Sequence, residues 1–466
     1  MSFCLIPNRG ILFLQSLFMK KVITYGTYDL LHYGHVRLLE RAKALGDYLI
    51  VGVTADGFDQ ARGKINVKQS LMERMEAVKA TGIADEVIVE EYEGQKIDDI
   101  LRYGVDIFAI GSDWLGKFDY LNEYCKVVYL ERTKGVSSTE LRSEERALRI
   151  GLAGSQLNFL DKFAKESQYV NGIQMEGIWT PEHQKGLLPD TLGNLSVVTT
   201  DFDMLIDAVD AVFIVSKPEK HYRQIKTALQ KGKHVLCESP IAMSLAEWEE
   251  LTSLAQEKGL VLMDAIRTAY STAYYRMLLL VKSGRIGEVV SVDVSCSSLR
   301  NTDLDADELK NAWNSICAWG PNALLPVFQL LSTGYTHRQM ISKIAEGTDK
   351  YDSFTKISFV YPHAVASVKV GMGVKTEGEL VVSGTTGYVY VPAPWWKTDY
   401  FEIRREDPTQ NKRYFYQLDG EGFRYEIVSF VKAIHHGHHG NYISNEVSKA
   451  FVQEIESFYK GEMIVI

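Results

Sequence analysis

Short apolar runs typical of strands alternate with longer runs typical of helices, and this alternation occurs twice along the chain. The first series extends from Val22 to Tyr129 and the second from Leu148 to Met263. Regular alternation of this kind predicts a parallel sheet with helices on both faces. After about Thr268 the pattern becomes period-two alternation, which is typical of a largely antiparallel sheet. We therefore predict an α/β protein with two doubly wound domains followed by an α+β domain.

The length of the chain and the change of pattern divide it into four segments. At 466 residues the chain exceeds what one hydrophobic core usually serves, so more than one domain is expected. No Pro- or Gly-rich linker separates the two alternating series, and a charged segment at 142–149 joins them. We predict an N-terminal extension at 1–18, a first domain at 19–146, a second at 147–267 and a third at 268–466.

Composition and charge exclude several classes of partner. The chain is 46% hydrophobic and 24% charged, as ordinary globular proteins are, and its formal net charge is −9. Nucleic acids and anionic membranes attract clustered Lys and Arg, so neither is expected as the main partner. Five scattered cysteines without a CxxC pair suit a reducing, cytoplasmic compartment and argue against disulfides or a zinc site. The apolar run within residues 1–18 is too short to span a bilayer, so no membrane insertion is expected and Met19 is the expected natural start.

The segment Tyr25–His35 has the pattern of an anion-binding turn. It reads YGTYDLLHYGH, follows a strand-like run and leads into a helix-like run from Val36. A strand that turns through glycine into a helix N-terminus presents free N–H groups and the positive end of the helix dipole. His32 and His35 add donors that can follow charge as it develops on a phosphoryl group. One histidine near a glycine is more often structural, whereas two at such a turn favour catalysis.

Two further motifs follow strand-like runs of the same series. GSDW occupies 111–114 and RTKGVSST occupies 132–139. The carboxyl ends of parallel strands meet at one edge of the sheet, where ligands bind. Asp113 and Trp114 are open to two interpretations, a turn with a core aromatic or a part of a base or ribose site. Their position at a strand end favours the second.

From Met19 to about Arg142 these motifs resemble the small cytidylyltransferases, and among them most of all the glycerol-3-phosphate cytidylyltransferase family. Their order and spacing agree throughout. The matching segments are GTYDLLHYGH at 26–35, LLERAK at 38–43, LGDYL at 45–49, RGK at 62–64, Arg74, GSDW at 111–114, GKFD at 116–119 and RTKGVSST at 132–139. The departures are modest and conserve charge or hydroxyls: Tyr28 replaces the commoner Phe, Arg62 stands where Lys is usual, and VSST replaces ISTT.

The resemblance implies a Rossmann-like nucleotidyltransferase in which an acceptor phosphate attacks the α-phosphorus of CTP and expels pyrophosphate. The implied catalytic residues are His32, His35, Lys64 and Arg132. The implied nucleotide-binding residues are Gly26, Thr27, Tyr28, Asp29, Gly34, Arg62, Asp113, Trp114, Thr133, Ser137, Ser138 and Thr139. The acceptor's own phosphate is assigned to Arg62, Lys64 and Arg74. Mg²⁺ is expected to arrive on the triphosphate, with no metal site in the protein.

The resemblance also implies an acceptor and a biological setting. The expected acceptor is a polyol phosphate, first of all sn-glycerol 3-phosphate, which would give CDP-glycerol for a cell-surface polymer such as teichoic acid or capsule. Polar groups in the pocket set acceptor identity, and spacing alone does not reveal them. A cytoplasmic homodimer is expected.

The second half of the chain resembles the glucose–fructose oxidoreductase, inositol dehydrogenase and rhizopine catabolism family of NAD(P)-dependent sugar dehydrogenases. The resemblance extends over most of residues 148–466. Its motifs are IGLAG at 150–154, DAVFIVSKP at 210–218 with His221, and GKHVLCESP at 232–240. It implies a second Rossmann-like domain followed by an α+β domain.

The departures from this second family occur at positions that serve catalysis or cofactor binding in that family. Ser239 stands where the family carries a catalytic lysine, and Gln156 and Phe159 stand roughly where small residues let pyrophosphate approach the backbone. The acidic residue expected on the ribose is missing from GIWTP at 177–181. The Asp and His expected near 319–325 are not found there. These departures favour a domain that keeps the fold without hydride transfer, so NAD(P) is a doubtful cofactor.

Three hypotheses follow. The first is a cytidylyltransferase. The second is a bifunctional cytidylyltransferase and NAD(P)-dependent oxidoreductase that acts on a related polyol or sugar phosphate. The third is a non-enzymatic C-terminal scaffold that recruits the first domain. HHGHH at 435–439 invites a metal-binding interpretation, but it lacks a carboxylate or cysteine in ligand spacing and is interpreted as a polar loop.

Overall fold

The chain divides into two compact units, Met1–Arg146 and Ala147–Ile466. The structure, a computed structural model, describes residues 19–55, 67, 69–91, 94–131, 147–300, 304, 309, 312–348, 350–416, 418–436 and 442–466.

The first unit contains one parallel sheet. Its strands are β1 (Lys21–Gly26), β2 (Tyr48–Thr54), β3 (Glu86–Glu90), β4 (Ile107–Gly111) and β5 (Lys126–Leu130). Its helices are α1 (Tyr33–Lys43), α2 (Leu71–Ala80) and α3 (Gln95–Tyr103), with 3₁₀ turns at Ser112–Trp114 and Asp119–Glu123. The strands pair in the order β3-β2-β1-β4-β5, and every pairing is parallel.

The strand order of this sheet determines where a ligand can enter. From β1 the chain winds outward through β2 and β3, then crosses over to β4 on the other side of β1. The order therefore reverses beside β1, and the crevice outside its carboxyl end is the place where open α/β sheets bind ligands. The strands are apolar on both faces because helices cover both: Val22 and Val51 belong to one buried cluster, and Ile23 and Phe108 to the other.

The second unit begins with a six-stranded parallel sheet. Its strands are β6 (Leu148–Gly154), β7 (Ile173–Trp179), β8 (Val197–Thr199), β9 (Ala211–Val215), β10 (His234–Glu238) and β11 (Leu262–Ala265). Its helices are α4 (Leu157–Ser167), α5 (Glu182–Lys185), α6 (Asp190–Gly193), α7 (Phe202–Ala208), α8 (Pro218–Gln230) and α9 (Leu245–Glu257). The order β11-β10-β9-β6-β7-β8 places the topological switch between β6 and β9.

A nine-stranded sheet completes the second unit. Its strands are β12 (Val289–Ser298), β13 (His337–Ile344), β14 (Asp352–Val360), β15 (Val365–Met372), β16 (Leu380–Gly384), β17 (Gly387–Val391), β18 (Tyr400–Arg404), β19 (Lys412–Phe415) and β20 (Ile464–Val465). The order is β19-β18-β17-β16-β12-β15-β14-β13-β20. Two pairings, β12 with β15 and β13 with β20, are parallel, and the other six are antiparallel.

Helices cover this sheet and join it to the parallel one. They are α10 (Arg267–Tyr270), α11 (Thr272–Lys282), α12 (Ser315–Leu331), α13 (Phe423–His436) and α14 (Asn445–Tyr459), with 3₁₀ turns at Trp395–Lys397, Pro408–Gln410 and Asp419–Gly422. Phe328 of α12 packs against Phe359 of β14 and Phe451 of α14. The predicted fold class, two parallel-sheet domains and one mostly antiparallel sheet, is confirmed. Within the described part of the chain, no helix has the length and apolar character needed to cross a membrane.

Candidate active site

The loop that follows β1 has a strained conformation that neighbouring residues hold in place. Tyr28 and Leu30 have φ values of 53° and 46°, in the left-handed region, which costs a residue other than glycine roughly 1–2 kcal/mol. Gln69 bonds this loop twice: its N–H donates to Asp29 Oδ1 at 3.0 Å, and its Oε1 accepts from Leu30 N–H at 2.7 Å. These bonds offset the strain, and they position the chain just before the first histidine.

Arg74, on the first turn of α2, reinforces the same loop. Its side chain is fully buried. Its Nη1 donates to the carbonyls of Thr27 and Thr54, at 2.7 and 2.8 Å, and its Nε donates to the carbonyl of Gln69 at 3.1 Å. A buried guanidinium that donates hydrogen bonds to three main-chain carbonyls holds the backbone in place. These contacts favour a role of Arg74 in positioning the loop, and its predicted role at the acceptor phosphate stays a prediction.

The two predicted catalytic histidines lie together at the N-terminus of α1. His32 is the N-cap residue, and its Nδ1 accepts a hydrogen bond from Gly34 N–H at 3.1 Å. Because Nδ1 is the acceptor, the proton of a neutral His32 ring lies on Nε2. The ring of His35 stacks on that of His32, with centroids 3.9 Å apart, and buried Tyr28 packs edge-on against His35 at 5.5 Å. Both imidazoles therefore occupy the positive end of the helix, at the switch point of the sheet.

A buried polar network lies at the ends of β2 and β3 and beneath β1. Glu90 accepts from Thr54 Oγ1 at 2.8 Å and forms an ion pair with Lys96. The Lys96 ammonium lies 4.8 Å from the centre of the Tyr25 ring, and Tyr25 OH donates to Asp99 Oδ2 at 2.8 Å. Burial raises the pKa of Tyr25, and the neighbouring Asp99 raises it further. The network ties the carboxyl ends of these strands to α3.

Asp113 and Trp114 lie in the 3₁₀ turn directly after β4, at the same edge of the sheet as the histidines. Asp113 is exposed. Trp114 is half-buried, packs against Phe118 at 5.7 Å, and has the Lys117 ammonium 5.4 Å from its ring centre. Packing and a ligand role are both compatible with this position, so the predicted base or ribose contact stays a prediction.

Several predicted residues fall outside the described part of the chain. They are Arg62, Lys64, Arg132, Thr133, Ser137, Ser138 and Thr139. Their proposed roles stay predictions. His435 is exposed at the end of α13, while 437–440 also fall outside. Among the described residues, no group of His, Cys, Asp and Glu side chains is arranged to hold a metal ion.

The supporting residues Gln69, Lys96 and Asp99 were not recognised in the sequence. Gln69 precedes the capping box formed by Ser70 and Glu73, which marks the start of α2 but reveals nothing about the loop after β1. Lys96 and Asp99 lie three residues apart on α3 and read as ordinary helix-surface charges. No local sequence signal reports that these side chains are buried.

The second unit departs from a dinucleotide-binding pattern at the first turn of α4 and at the end of β7. A Cβ on Gly154 would lie 2.2 Å from the carbonyl oxygen of Val215, so this glycine is required by the close approach of β6 to β9. Phe159, on the first turn of α4, packs edge-on against Phe423 at 4.8 Å, and the Arg267 guanidinium lies over both rings at 4.6 and 4.3 Å. At the end of β7, Trp179 Nε1 donates to the carbonyl of Thr200. Phe159 and Arg267 thus pack beside the first turn of α4, and neither Thr180 nor Pro181, which directly follow β7, is acidic. These departures disfavour NAD(P), and the loss of hydride transfer stays a prediction.

The fold and site of the first unit define a nucleotidyltransferase. A family model described as cytidylyltransferase-like matches residues 23–145. The chain belongs, through this unit, to the glycerol-3-phosphate cytidylyltransferase family. The glycerol-3-phosphate cytidylyltransferase of Bacillus spizizenii is 51% identical over 130 residues, which are 28% of this chain and 100% of that protein. That of Staphylococcus aureus is 48% identical over 126 residues, 27% of this chain and 95% of that protein.

The second unit carries a domain of the GFO/IDH/MocA oxidoreductase family. The model described as oxidoreductase family, NAD-binding Rossmann fold, matches residues 148–265. The scyllo-inositol 2-dehydrogenase (NADP(+)) of Bacillus subtilis is 30% identical over 112 residues, 24% of this chain and 34% of that protein. The 3-ketoreductase KijD10 of Actinomadura kijaniata, solved with NADP and TDP-benzene, superposes with a TM-score of 0.60 at 18% identity, over 69% of this chain and 99% of that one. The structural likeness shows the fold alone, and the fusion predicted from the sequence is confirmed.

Proposed function

We propose that the first unit joins CTP to a polyol phosphate, first of all sn-glycerol 3-phosphate, and releases CDP-glycerol and pyrophosphate for cell-surface polymer synthesis. The observation that carries the proposal is the stacked pair His32 and His35 at the N-terminus of α1, in a unit about half identical to complete glycerol-3-phosphate cytidylyltransferases. CTP enters as its Mg²⁺ complex, so the metal arrives as part of the substrate.

In the proposed reaction, an oxygen of the acceptor phosphate attacks the α-phosphorus of CTP in line. The bond from that phosphorus to the bridging oxygen breaks, and pyrophosphate leaves with the electron pair. Nε2–H of His32, the ring of His35 and the free N–H groups of α1 stabilise the charge that develops on the α-phosphate and the leaving oxygen. Because Gln69 and Arg74 hold the loop before binding, these donors need little reorganisation in the transition state.

Cationic and hydroxyl side chains complete the proposed site. Two polyanions must meet without mutual repulsion, and Lys64 with Arg62 is proposed to neutralise the outer phosphates and the acceptor phosphate. Arg132 and the hydroxyls within 133–139 are proposed to bind the β- and γ-phosphates. Thr27 and the backbone at Gly26 are proposed to cradle the triphosphate, and Asp113 with Trp114 to contact the cytidine.

A second candidate is a bifunctional enzyme in which the oxidoreductase-type domain acts on a related polyol or sugar phosphate. The family match over residues 148–265 favours it. The bulky Phe159 on the first turn of α4, and the lack of an acidic residue at Thr180 or Pro181 directly after β7, speak against it. Titration of the intact chain with NADH and NADPH, followed by energy transfer from tryptophan to the nicotinamide, distinguishes the two candidates, because the bifunctional enzyme requires saturable binding.

The decisive experiment measures pyrophosphate release from a panel of substrates. CTP, ATP, UTP and GTP are each combined with glycerol, ribitol, erythritol and sugar phosphates. We expect release with CTP and glycerol 3-phosphate, its loss in H35N, and full retention in H363N, which changes an exposed histidine of the second unit. If pyrophosphate were released only with CTP and another polyol phosphate, that compound would replace glycerol 3-phosphate as the proposed acceptor. No release with any pair would overturn the proposal.

A further inference from the structure

The aromatic ring of Tyr28 is enclosed between the end of β1, the rest of the sheet and α1. Tyr28 is 1% exposed and belongs to the buried cluster that also contains Val51 of β2 and Leu39 of α1. A Cβ on Gly26, the last residue of β1, would lie only 3.0 Å from Tyr28 Cζ, so the ring packs directly against the strand end. Close packing on these sides leaves the ring little freedom to move.

The backbone of Tyr28 is strained, and neighbouring residues hold it in that conformation. Its φ of 53° lies in the left-handed region, which residues other than glycine seldom adopt. Gln69 bonds the next two residues of the loop, Asp29 through its N–H and Leu30 through its Oε1. Strain of this kind persists only where the surrounding structure enforces it, and it is concentrated at functional sites.

The hydroxyl group of Tyr28 does not explain this placement. It is buried and makes no hydrogen bond to a described residue, and the same holds for the neighbouring hydroxyl of Thr24. A buried polar group without a partner costs free energy. What Tyr28 contributes to the site is therefore its aromatic ring.

That ring is one of two that contact the imidazole of His35. The Tyr28 ring meets it edge-on, at 5.5 Å and 72°, in a geometry that aromatic pairs favour. The His32 ring stacks on it at 3.9 Å and 18°. Because one contact is a stack and the other is edge-on, together they restrict both the tilt and the rotation of the His35 ring.

We propose that Tyr28 is a positioning residue whose buried ring holds His35 against His32, in the orientation that serves the α-phosphate of CTP. This role rests on the nucleotidyl transfer proposed above, and Tyr28 acts in it through His35 without touching the substrate. A displacement of about 1 Å in a catalytic group can cost roughly 100-fold in rate. Loss of the Tyr28 ring should therefore lower kcat and leave CTP binding almost unchanged.

The test compares Y28F and Y28L in the full chain by steady-state kinetics of pyrophosphate release. Y28F keeps the ring and removes the unbonded hydroxyl, so kcat and KM for CTP should stay within about twofold and stability should not fall. Y28L removes the ring, so kcat should fall roughly 10- to 100-fold while KM for CTP changes less than about threefold. Y124L, the same substitution at an exposed tyrosine of the first unit, should behave as the unchanged chain does.

Two further measurements separate positioning from a general loss of core packing. V51A removes volume from the same buried cluster, so it should lose stability but keep kcat. NMR of the chain with 13C-labelled histidine rings reports on His35 directly, and H35N identifies its signal. That signal should shift in Y28L, which lacks the neighbouring ring, and should keep its position in Y28F and V51A.

Three results would each overturn the proposal. Equal loss of kcat in Y28F and Y28L would assign the effect to the hydroxyl group. A rise in KM for CTP in Y28L with kcat unchanged would show that Tyr28 contacts the nucleotide. An equal fall of kcat in V51A and Y28L, with the His35 signal unshifted in both, would show a purely structural role.

Failure of the proposed function has a different signature. If the unchanged chain releases no pyrophosphate from any pair of substrates, nucleotidyl transfer itself is excluded. The His35 signal does not depend on turnover, so its response to Y28L and Y28F still tests whether the Tyr28 ring fixes the imidazole.

Discussion

The guanidinium of Arg74 donates to the main-chain carbonyl of Thr27 at 2.7 Å and thereby ties α2 to the loop that leads into the histidine pair. Lysine at this position keeps the charge but cannot reach three carbonyls at once. For R74K we expect kcat to fall roughly 10- to 100-fold, because the loop loses its position, while KM for the acceptor phosphate changes little. Steady-state kinetics of pyrophosphate release measures both parameters.

R102K is the matched control for this prediction, because Arg102 is exposed on α3. It should behave as the unchanged enzyme does. A large rise in the acceptor KM of R74K with kcat unchanged would show instead that Arg74 binds the acceptor phosphate.

The double role of His32 can be separated by two substitutions. Asparagine can accept the Gly34 N–H bond as an N-cap, whereas alanine cannot, so H32A should lose about 1 kcal/mol of stability and H32N should lose little. Both variants lack the ring N–H, and both should lose roughly 10²- to 10³-fold in kcat. Chemical denaturation and single-turnover kinetics measure the two effects. Near-normal turnover by H32N would reduce His32 to a structural cap.

The buried ion pair of Glu90 and Lys96 should be costly to break on one side only. Lys96 is 6% exposed and Glu90 is fully buried, so K96M removes the ammonium from beside a buried carboxylate and should destabilise the first unit by about 3–5 kcal/mol. The double variant K96M/E90Q should recover most of this loss. Hydrogen exchange of peptides from 86–103 reports on this unit alone. Equal protection from hydrogen exchange in K96M and the unchanged chain would show that the ion pair does not stabilise the first unit by this amount.

The stability of the second unit should fall as the pH rises from 5 to 8. Burial raises the pKa of Asp352 to about 7 from its ordinary value of 3.8, so the folded chain holds a proton that the unfolded chain has released. The contribution of this proton to the free energy of unfolding is fully present below about pH 3.8 and is lost as the pH rises through about 7. One pKa unit corresponds to about 1.4 kcal/mol, which sets an upper limit of about 4 kcal/mol.

D352N should flatten this pH dependence, because asparagine can still accept from the Ile316 N–H that Asp352 bonds, but does not titrate. Burial also raises the pKa of Glu238 to about 7, so E238Q should remove a second part of the decrease in unfolding free energy with pH. Urea unfolding at pH 5 and pH 8 measures both. D293N, at an exposed position of β12, should leave the slope unchanged, and an unchanged slope in D352N would contradict the assignment.

The sequence allowed the fold class, the order of the strand-end motifs and the family of each half to be predicted. These features depend on periodicity and on short-range spacing, which are properties of the chain before it folds. The histidines at 32 and 35 were recognised for the same reason, since a strand, a glycine turn and a helix start form one continuous segment.

Tertiary structure decided what holds that segment in place and what the second half retains. Arg74 and Thr27 are 47 positions apart, and only the packing of α2 beside the sheet shows that the guanidinium supports the loop. Phe159 lies beside Arg267 and Phe423 because α4, α10 and α13 pack together, so the residue that departs from the glycine pattern has a packing role. Contacts between distant positions depend on how whole elements pack, and no local pattern in the sequence reports them.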